Sequence, residues 1–395
     1  MTDTTARGVR LPPRTLLLTL LGVSTMTIMA SATITPALPG MERHFAGTPD
    51  AALLVRLVLT LPGLAIVLTA PLLARLTGRA GRVRVLAGAL VLYVIGGGSG
   101  LVLDWLPGLL AGRAVLGAGI AGIMVTSTAL LADHYPVTEH GRVLGLQGAA
   151  MGFGGVVALL LGGVLADLSW RGPFAIYLLA LPMLVLVLRF VPEAPRDTER
   201  APDRPHRTPR LFGLYALMFL GVIVFYTVPT QAPFWLSEVT GAGPAVVGVL
   251  MAALNLVMTI VGLNFRRLRA RWDFPVLATA IFVAYAGGLV VLGLAGGIWT
   301  AALGMLITGL GIGLQNPVIN GWVVASVDPA DRTRALGTLT SALFLGQFAS
   351  PLVAQPVVAG VGLGTTFVLA GALGAVIAVV PVFLRRRATT DTPAA

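Results

Sequence analysis

Apolar residues run through this chain in long stretches, broken by short polar seams rich in arginine. A helix that crosses a bilayer needs about 20 mainly apolar residues. Twelve stretches meet that length: 15–38, 52–74, 84–103, 107–132, 142–167, 172–191, 211–236, 243–265, 274–296, 298–325, 334–358 and 363–384. The first, from Thr15 to Leu38, exceeds the roughly 7–15 apolar residues of a cleaved signal peptide and reads as a retained span.

The seams carry their own pattern. With the N-terminus placed inside, 23 of the arginines fall on the cytoplasmic side: Arg7, Arg10, Arg14; Arg75, Arg79, Arg82, Arg84; Arg142; Arg189 to Arg210; Arg266 to Arg271; Arg332, Arg334; and Arg385 to Arg387. Three fall outside, Arg43, Arg56 and Arg171, and Arg113 lies within a span. The positive-inside rule then predicts an even helix count with both termini cytoplasmic. Residues 192–210 form the longest polar stretch, mixing arginine with Glu193, Asp197, Glu199, Asp203 and several prolines, and read as a solvated linker.

Composition sharpens the picture. The 395 residues are 56% hydrophobic and 11% charged, against about 25% charged in soluble domains, so the solvent is lipid. The 49 glycines and 26 prolines suit membrane helices. A net charge of +11 would suggest nucleic acid in a soluble chain; here it follows from the loop arginines, and no nucleic-acid partner is expected. All 27 basic residues are arginine, as codon bias in a GC-rich genome would produce. Cysteine is absent, which excludes disulfides, thiol catalysis and thiolate metal sites.

A shift of 192 residues superposes the two halves of the sequence. Gly117 and Gly119 fall on Gly309 and Gly311; Arg142, Leu144 and Gly145 on Arg334, Leu336 and Gly337; Glu139 on Asp331; Arg75 and Arg79 on Arg267 and Arg271. The expected fold is therefore all-α and membrane-integral. Twelve helices form two pseudo-symmetric six-helix bundles, residues 1–191 and 211–395, joined by the linker 192–210. Parallel repeats of this size belong to alternating-access transporters, with the substrate between the halves.

These residues resemble the major facilitator superfamily, and within it the twelve-helix drug:proton antiporters. The loop after the second span resembles the family's helix 2–3 motif through Arg79, Gly81 and Arg82, a cytoplasmic gate in relatives, although Gly78 stands at the acidic position and Ala74 at its leading glycine. Arg113, with Gly117 and Gly119 behind it, resembles the helix-four motif, whose arginine is implicated in proton transfer; Leu116 replaces a usual glutamine. Gly145, Gly154, Gly162 and Gly163 follow the glycine spacing of the antiporter motif in helix five, with Ala158 and Leu159 in place of its Gly-Pro pair. The resemblance implies the major facilitator fold and export of small hydrophobic compounds or drugs in exchange for protons. A specific solute transporter for a metabolite, anion or lipid-like compound, or a non-transporting receptor, is the alternative.

Polar residues within spans are candidates for the pathway, because unsatisfied polar groups are costly in lipid. Ser24, Thr27, Ser31 and Thr35 share one face of the first span, with Met29 beside them. Tyr226 and Gln231 stand in the seventh, Asn255 in the eighth, Asn316 and Asn320 around Pro317 in the tenth, and Gln347 in the eleventh. Of these, Thr27, Met29, Ser31, Arg113, Tyr226, Gln231, Asn255, Asn316, Asn320 and Gln347 are the expected substrate or coupling residues. Each amide is equally suited to lining a cavity or to joining helices. No Asp, Glu or His lies deep in a span; Asp104, Asp133, Asp167 and Glu238 stand at ends, and His134 and His140 in a loop. Coupling then uses a peripheral acid near Arg113, or the chain is not a proton antiporter. No convergent catalytic set exists in the spans, so no enzyme activity, cofactor or metal is expected. The expected partners are a small-molecule substrate, protons and the bilayer. The expected setting is a monomer in a bacterial cytoplasmic membrane.

Overall fold

The computed structural model describes residues 14–193 and 211–383. Arg7, Arg10, residues 194–210 of the linker and Arg385 to Arg387 lie outside the described residues. Twelve spanning helices follow one another: α1 (Arg14–His44), α2 (Ala51–Ala80), α3 (Arg82–Leu101), α4 (Leu106–His134), α5 (Val137–Leu168), α6 (Gly172–Phe190), α7 (Phe212–Thr240), α8 (Pro244–Leu263), α9 (Phe274–Gly293), α10 (Ile298–Ala325), α11 (Pro329–Val361) and α12 (Leu363–Phe383). Helices are what an apolar chain must form in lipid, since each closes its own backbone hydrogen bonds. The helices α2, α5 and α11 outrun the apolar stretches at their arginine-rich ends. Charged residues leave the hydrocarbon there without ending the helix. The arginine-rich seams share one face of the molecule, called below the arginine-rich face; the other is the arginine-poor face.

One break escaped the pattern. The first helical segment of α1 stops at Ala32, a 3-10 turn covers Thr35–Ala37, and a second segment runs Leu38–His44. Pro36 and Pro39 remove backbone donors there. The exposed carbonyl of Thr33 is covered by α5, whose Gly162 passes so close that a Cβ would lie 2.2 Å from that oxygen.

Two cores form. One gathers apolar side chains from Leu16 to Val191, including Leu20, Leu59, Leu90, Ile123 and Phe174. The other gathers those from Leu211 to Ala378, including Phe282, Tyr285, Met305 and Phe367, with Leu159 of α5 reaching into it. The 192-residue repeat is visible in how they pack. Gly119 lies against the Ala89 carbonyl and Tyr93, and Gly311 against the Ile281 carbonyl and Tyr285. Gly117 lies against Pro62 and Ala65, and Gly309 against Leu254 and Val257. Every pair is displaced by the same offset. The glycines are where backbones must approach closely.

At the arginine-rich face the turn between α2 and α3 is built on Gly81, at φ 93°. Glu193, just after α6, accepts hydrogen bonds from the backbone N–H groups of Arg82 at 2.5 Å and Val83 at 3.2 Å, satisfying donors that open α3. The Arg82 guanidinium pairs with Asp133 at the end of α4 and donates to the Ala129 carbonyl at 3.3 Å. Glu193→Ala is expected to cost about 1 kcal/mol, the usual worth of a helix cap, read as a lowered melting temperature in detergent.

Candidate transport pathway

Where the halves touch, two helix pairs meet: α2 with α11, and α5 with α8. Gly63 of α2 faces the Phe344 carbonyl and Gln347 of α11; Gly155 of α5 faces Asn255 of α8. Under the repeat Gly63 corresponds to Asn255, and Gly155 to Gln347. The two interfaces are thus related by the pseudo-twofold. Each sets an amide of the second half on a glycine of the first. Asn255 also donates from Nδ2 to the Gly152 carbonyl of α5 at 3.4 Å.

From these mid-membrane contacts the halves stay together toward the arginine-poor face. Gly163 of α5 and Gly248 of α8 meet backbone to backbone, so that a Cβ on Gly248 would stand 2.6 Å from the Leu159 carbonyl and 3.0 Å from the Gly163 Cα. Toward the arginine-rich face they part. Beside Gly78 of α2, Gly141, Gly145 and Gly148 of α5, and Gly337 of α11, a Cβ would meet no described atom of another element within 4 Å. The space between the halves therefore opens toward the arginine-rich face and is closed toward the other.

The closed end holds a network centred on Arg56. Arg56 lies at the arginine-poor face, on the side of Arg43, but within α2 as its sixth residue, and is 3% exposed. Its Nε donates to Gln231 Oε1 of α7 at 2.7 Å. Its Nη1 donates to Glu42 Oε2 of α1 at 2.7 Å and to the Ala52 carbonyl at 2.6 Å. Its guanidinium carbon lies 3.9 Å from the centre of the Phe234 ring, a favourable cation–π placement. Gln231 in turn donates to Gln355 of α11 at 3.5 Å. The apolar stretch 52–74 already enclosed Arg56, which was the signal available.

The other expected pathway residues divide by location. Ser31 of α1 donates to the Ile28 carbonyl of its own helix at 3.4 Å, with Tyr226 of α7 beside it across the halves. Thr27 turns back to the Ser24 carbonyl at 2.8 Å. Met29 is buried with Ala158 and Ile176 between α1, α5 and α6, behind the face that carries Ser31. Gln347 and Asn255 sit at the two interfaces just described. Asn316 is exposed on α10, and Asn320 donates to its carbonyl at 2.7 Å. Gln147, an amide within the fifth apolar stretch that no motif marks, donates to Ser24 at 3.0 Å and to Thr128 at 3.2 Å, tying α5 to α1 and α4.

Arg113 is fully buried inside the first bundle. Its guanidinium donates to the Tyr177 hydroxyl at 3.0 Å and, more weakly, to the Gly97 carbonyl at 3.4 Å. Its carbon stands 4.7 Å from the Phe174 ring and 5.0 Å from the Tyr177 ring. Tyr177 passes the contact on, donating to the Ala30 carbonyl of α1 at 2.6 Å. Its Nε has no partner among the described residues. No ion pair of Arg113 with a carboxylate occurs among the described residues, so its charge rests on aromatic faces and oxygen dipoles. Such an arrangement is costly in a low-dielectric interior.

Of the remaining motif residues, Arg82 and Gly81 serve the α2–α3 turn, and Arg79 stands one turn earlier in α2. The α5 glycines serve two purposes. Gly154 and Gly162 pack on Thr25 and Thr33 of α1, and Gly163 packs on α8, while Gly145 faces the open side.

Two six-helix bundles, a polar seam between them and a space open to one face define a membrane transporter. The sequence pattern of the Major Facilitator Superfamily matches residues 20–299 and 244–395, and the chain belongs to that family. An uncharacterised MFS-type transporter of Mycobacterium tuberculosis is 31% identical over 270 residues, 66% of this chain; the match spans only 37% of that relative's length. The class D tetracycline resistance protein of Salmonella ordonez is 27% identical, covering 84% of this chain and 86% of that protein. The multidrug efflux protein YfmO of Bacillus subtilis is 25% identical, covering 83% of each. Among solved structures, a bacterial homolog of the human lysosomal transporter Spinster, inward-facing and unoccupied, superposes with a TM-score of 0.78 at 17% identity, covering 98% of this chain and 100% of that one. A D-xylose–proton symporter superposes at 0.74 with 18% identity, covering 93% and 97%. The structural likenesses show the fold.

Proposed function

We propose that the protein exports small apolar compounds from the cytoplasm in exchange for protons, with the arginine-rich face inside. The observation that carries this reading is the α5 seam. Gly154, Gly162 and Gly163 let α5 press on α1 and α8 and close the pathway at the arginine-poor face, leaving it open to the arginine-rich one. The positive-inside rule makes that open face cytoplasmic, where an exporter loads. The similarity to tetracycline resistance and multidrug efflux proteins agrees. Apart from the Arg56–Glu42 pair at the closed end, the polar groups described across the seam are hydroxyls and amides, and the sequence has no Asp, Glu or His in the middle of any span. Such a lining favours neutral or weakly charged, apolar substrates over strong cations.

Arg113 is assigned to coupling as a fixed charge: an arginine stays protonated, so the travelling proton is carried by another group, and no carboxylate pairs with Arg113 among the described residues. It is a buried cation one layer behind α1, linked to that helix through Tyr177. The domain division proposed is one bundle to residue 191 and one from 211, rocking as bodies about the α2–α11 and α5–α8 seams. Expression in an efflux-deficient bacterial host tests the reading. Resistance to several unrelated apolar compounds, with compound-dependent proton movement in everted vesicles, is the expected result. Sensitivity unchanged across the panel, or accumulation in place of export, overturns it.

A further inference from the structure

The two seams are related by the repeat, yet they are sealed in different ways at the arginine-poor face. On the α5–α8 side Gly163 meets Gly248 through backbone alone. The 192-residue offset places Arg56 at the position of Gly248 and Gln355 at the position of Gly163. So where one seam has two glycines in contact, the other has a buried arginine and a glutamine, bridged by Gln231 from α7. A glycine at position 56 would have allowed the same tight backbone contact. The chain instead buries a guanidinium, 3% exposed, at the end of a lipid-embedded helix. Burying a charge is unfavourable unless its partners are in place.

Those partners belong to both halves. Glu42 and the Ala52 carbonyl, both of the first half, take the two bonds of Nη1. Gln231 and Phe234, both of the second half, take Nε and the flat face. The carboxylate of Glu42 neutralises the charge and fixes the side chain to its own bundle. The Nε bond and the ring contact are supplied by the protein only while the second half is seated. When the halves separate at this face, Nε and the ring face become free for water, so the contact is reversible. A close-packed apolar contact would have no such exchange.

We infer that Arg56 is the releasable lock of the gate at the arginine-poor face, that Glu42 is its positioning carboxylate, and that Gln231 is its keeper on the opposite half. The glycine seam on the other side supplies close fit and the arginine seam supplies the latch. Transport requires the latch to form and break once per cycle. The inference uses the transporter class and no choice of substrate.

Because the chain has no cysteine, a single introduced thiol reports access without background. Ser31→Cys places it beneath the lock, next to Tyr226. A membrane-impermeant maleimide is applied separately to each face of the membrane. In the Ser31→Cys background labelling is expected from the arginine-rich face and to be slow from the arginine-poor one. Adding Arg56→Gln, or Gln231→Leu on the other half, is expected to raise labelling from the arginine-poor face about tenfold, the effect of losing a charged hydrogen bond. The double variant is expected to add little to either single one, since both break the same contact. Glu42→Gln is expected to raise labelling in the same direction. If Arg56→Gln does not yield folded protein, Gln231→Leu still carries the test, for it leaves the Arg56–Glu42 pair intact. Folded variants, labelled normally from the arginine-rich face, whose labelling from the arginine-poor face matches the background would overturn the inference. So would a lowered melting temperature with unchanged access. A protein that keeps the lock but moves no drug would count against the proposed export function alone.

Discussion

Arg113→Met is expected to abolish proton-driven export, by about tenfold or more, while leaving the protein as stable as before. The repeat supplies the reason for choosing methionine. Met305 occupies the corresponding place in α10, where it is fully buried. An apolar side chain of that size therefore fits this packing position in the fold. Replacing a buried ion by a well-packed apolar residue of similar volume is often neutral or stabilising. The Tyr177 hydroxyl keeps its bond to the Ala30 carbonyl, so no donor is orphaned there. The chain thus carries in α4 a charge that its own duplicate does without. On the proposed function, that charge is kept at a cost to stability because the transport cycle uses it. The measurement pairs compound efflux from proteoliposomes under a pH gradient with thermal unfolding. Full gradient-driven transport by a stable Arg113→Met variant would remove Arg113 from the coupling step. Arg113→Lys is expected to restore transport only partly, because an ammonium lacks the planar guanidinium that stands 4.7 Å from the Phe174 ring and reaches both Tyr177 and the Gly97 carbonyl.

Gly248→Val is expected to eliminate transport by a different route. Its Cβ would fall 2.6 Å from the Leu159 carbonyl and 3.0 Å from the Gly163 Cα. Both are backbone atoms of α5 and cannot rotate away. The second bundle keeps its own packing, so the protein still folds, yet the halves cannot close at the arginine-poor face. The variant is held open on that side. Spin labels on the exposed residues Leu168 and Val246, at the ends of α5 and α8, report the outcome. Their separation is expected to lengthen by several ångströms and to lose its short-distance population. An unchanged distance together with normal transport would show that the Gly163–Gly248 contact does not govern closure.

Much of the architecture was legible in the sequence. Twelve spans followed from apolar length, because lipid admits few other backbones. The 192-residue offset exposed the duplication, and the structure carries it down to individual helix contacts such as Gly119 on Tyr93 and Gly311 on Tyr285. The break in α1 is hidden in the sequence because Thr33 to Leu38 is largely apolar like the helices around it; only the spacing of Pro36 and Pro39 marks it.

The pathway was less legible. Arg56 and Arg43 sit on the same side of the membrane and look alike in a count of loop charges. Yet one is buried beneath the second half, and the other is exposed and bonded to the Pro39 carbonyl of its own helix. Asn255 and Gln347 stand out in the sequence as amides in spans, but their opposition to Gly155 and Gly63 depends on how two bundles dock. Met29 neighbours Ser31 in the sequence, but a rotation of about 200° between residues two apart sends it to the other side.

The sequence by itself determined that this is a membrane protein of twelve helices in two related halves, because hydrophobic length, charge asymmetry and internal repetition are properties of the chain read in order. The tertiary structure alone decided which face is closed, that Arg113 has aromatic rings and, among the described residues, no carboxylate partner, and that Arg56 reaches Gln231, 175 residues away. Those are contacts between segments distant in sequence. They are set by how the bundles dock, and no local pattern of residues encodes that geometry.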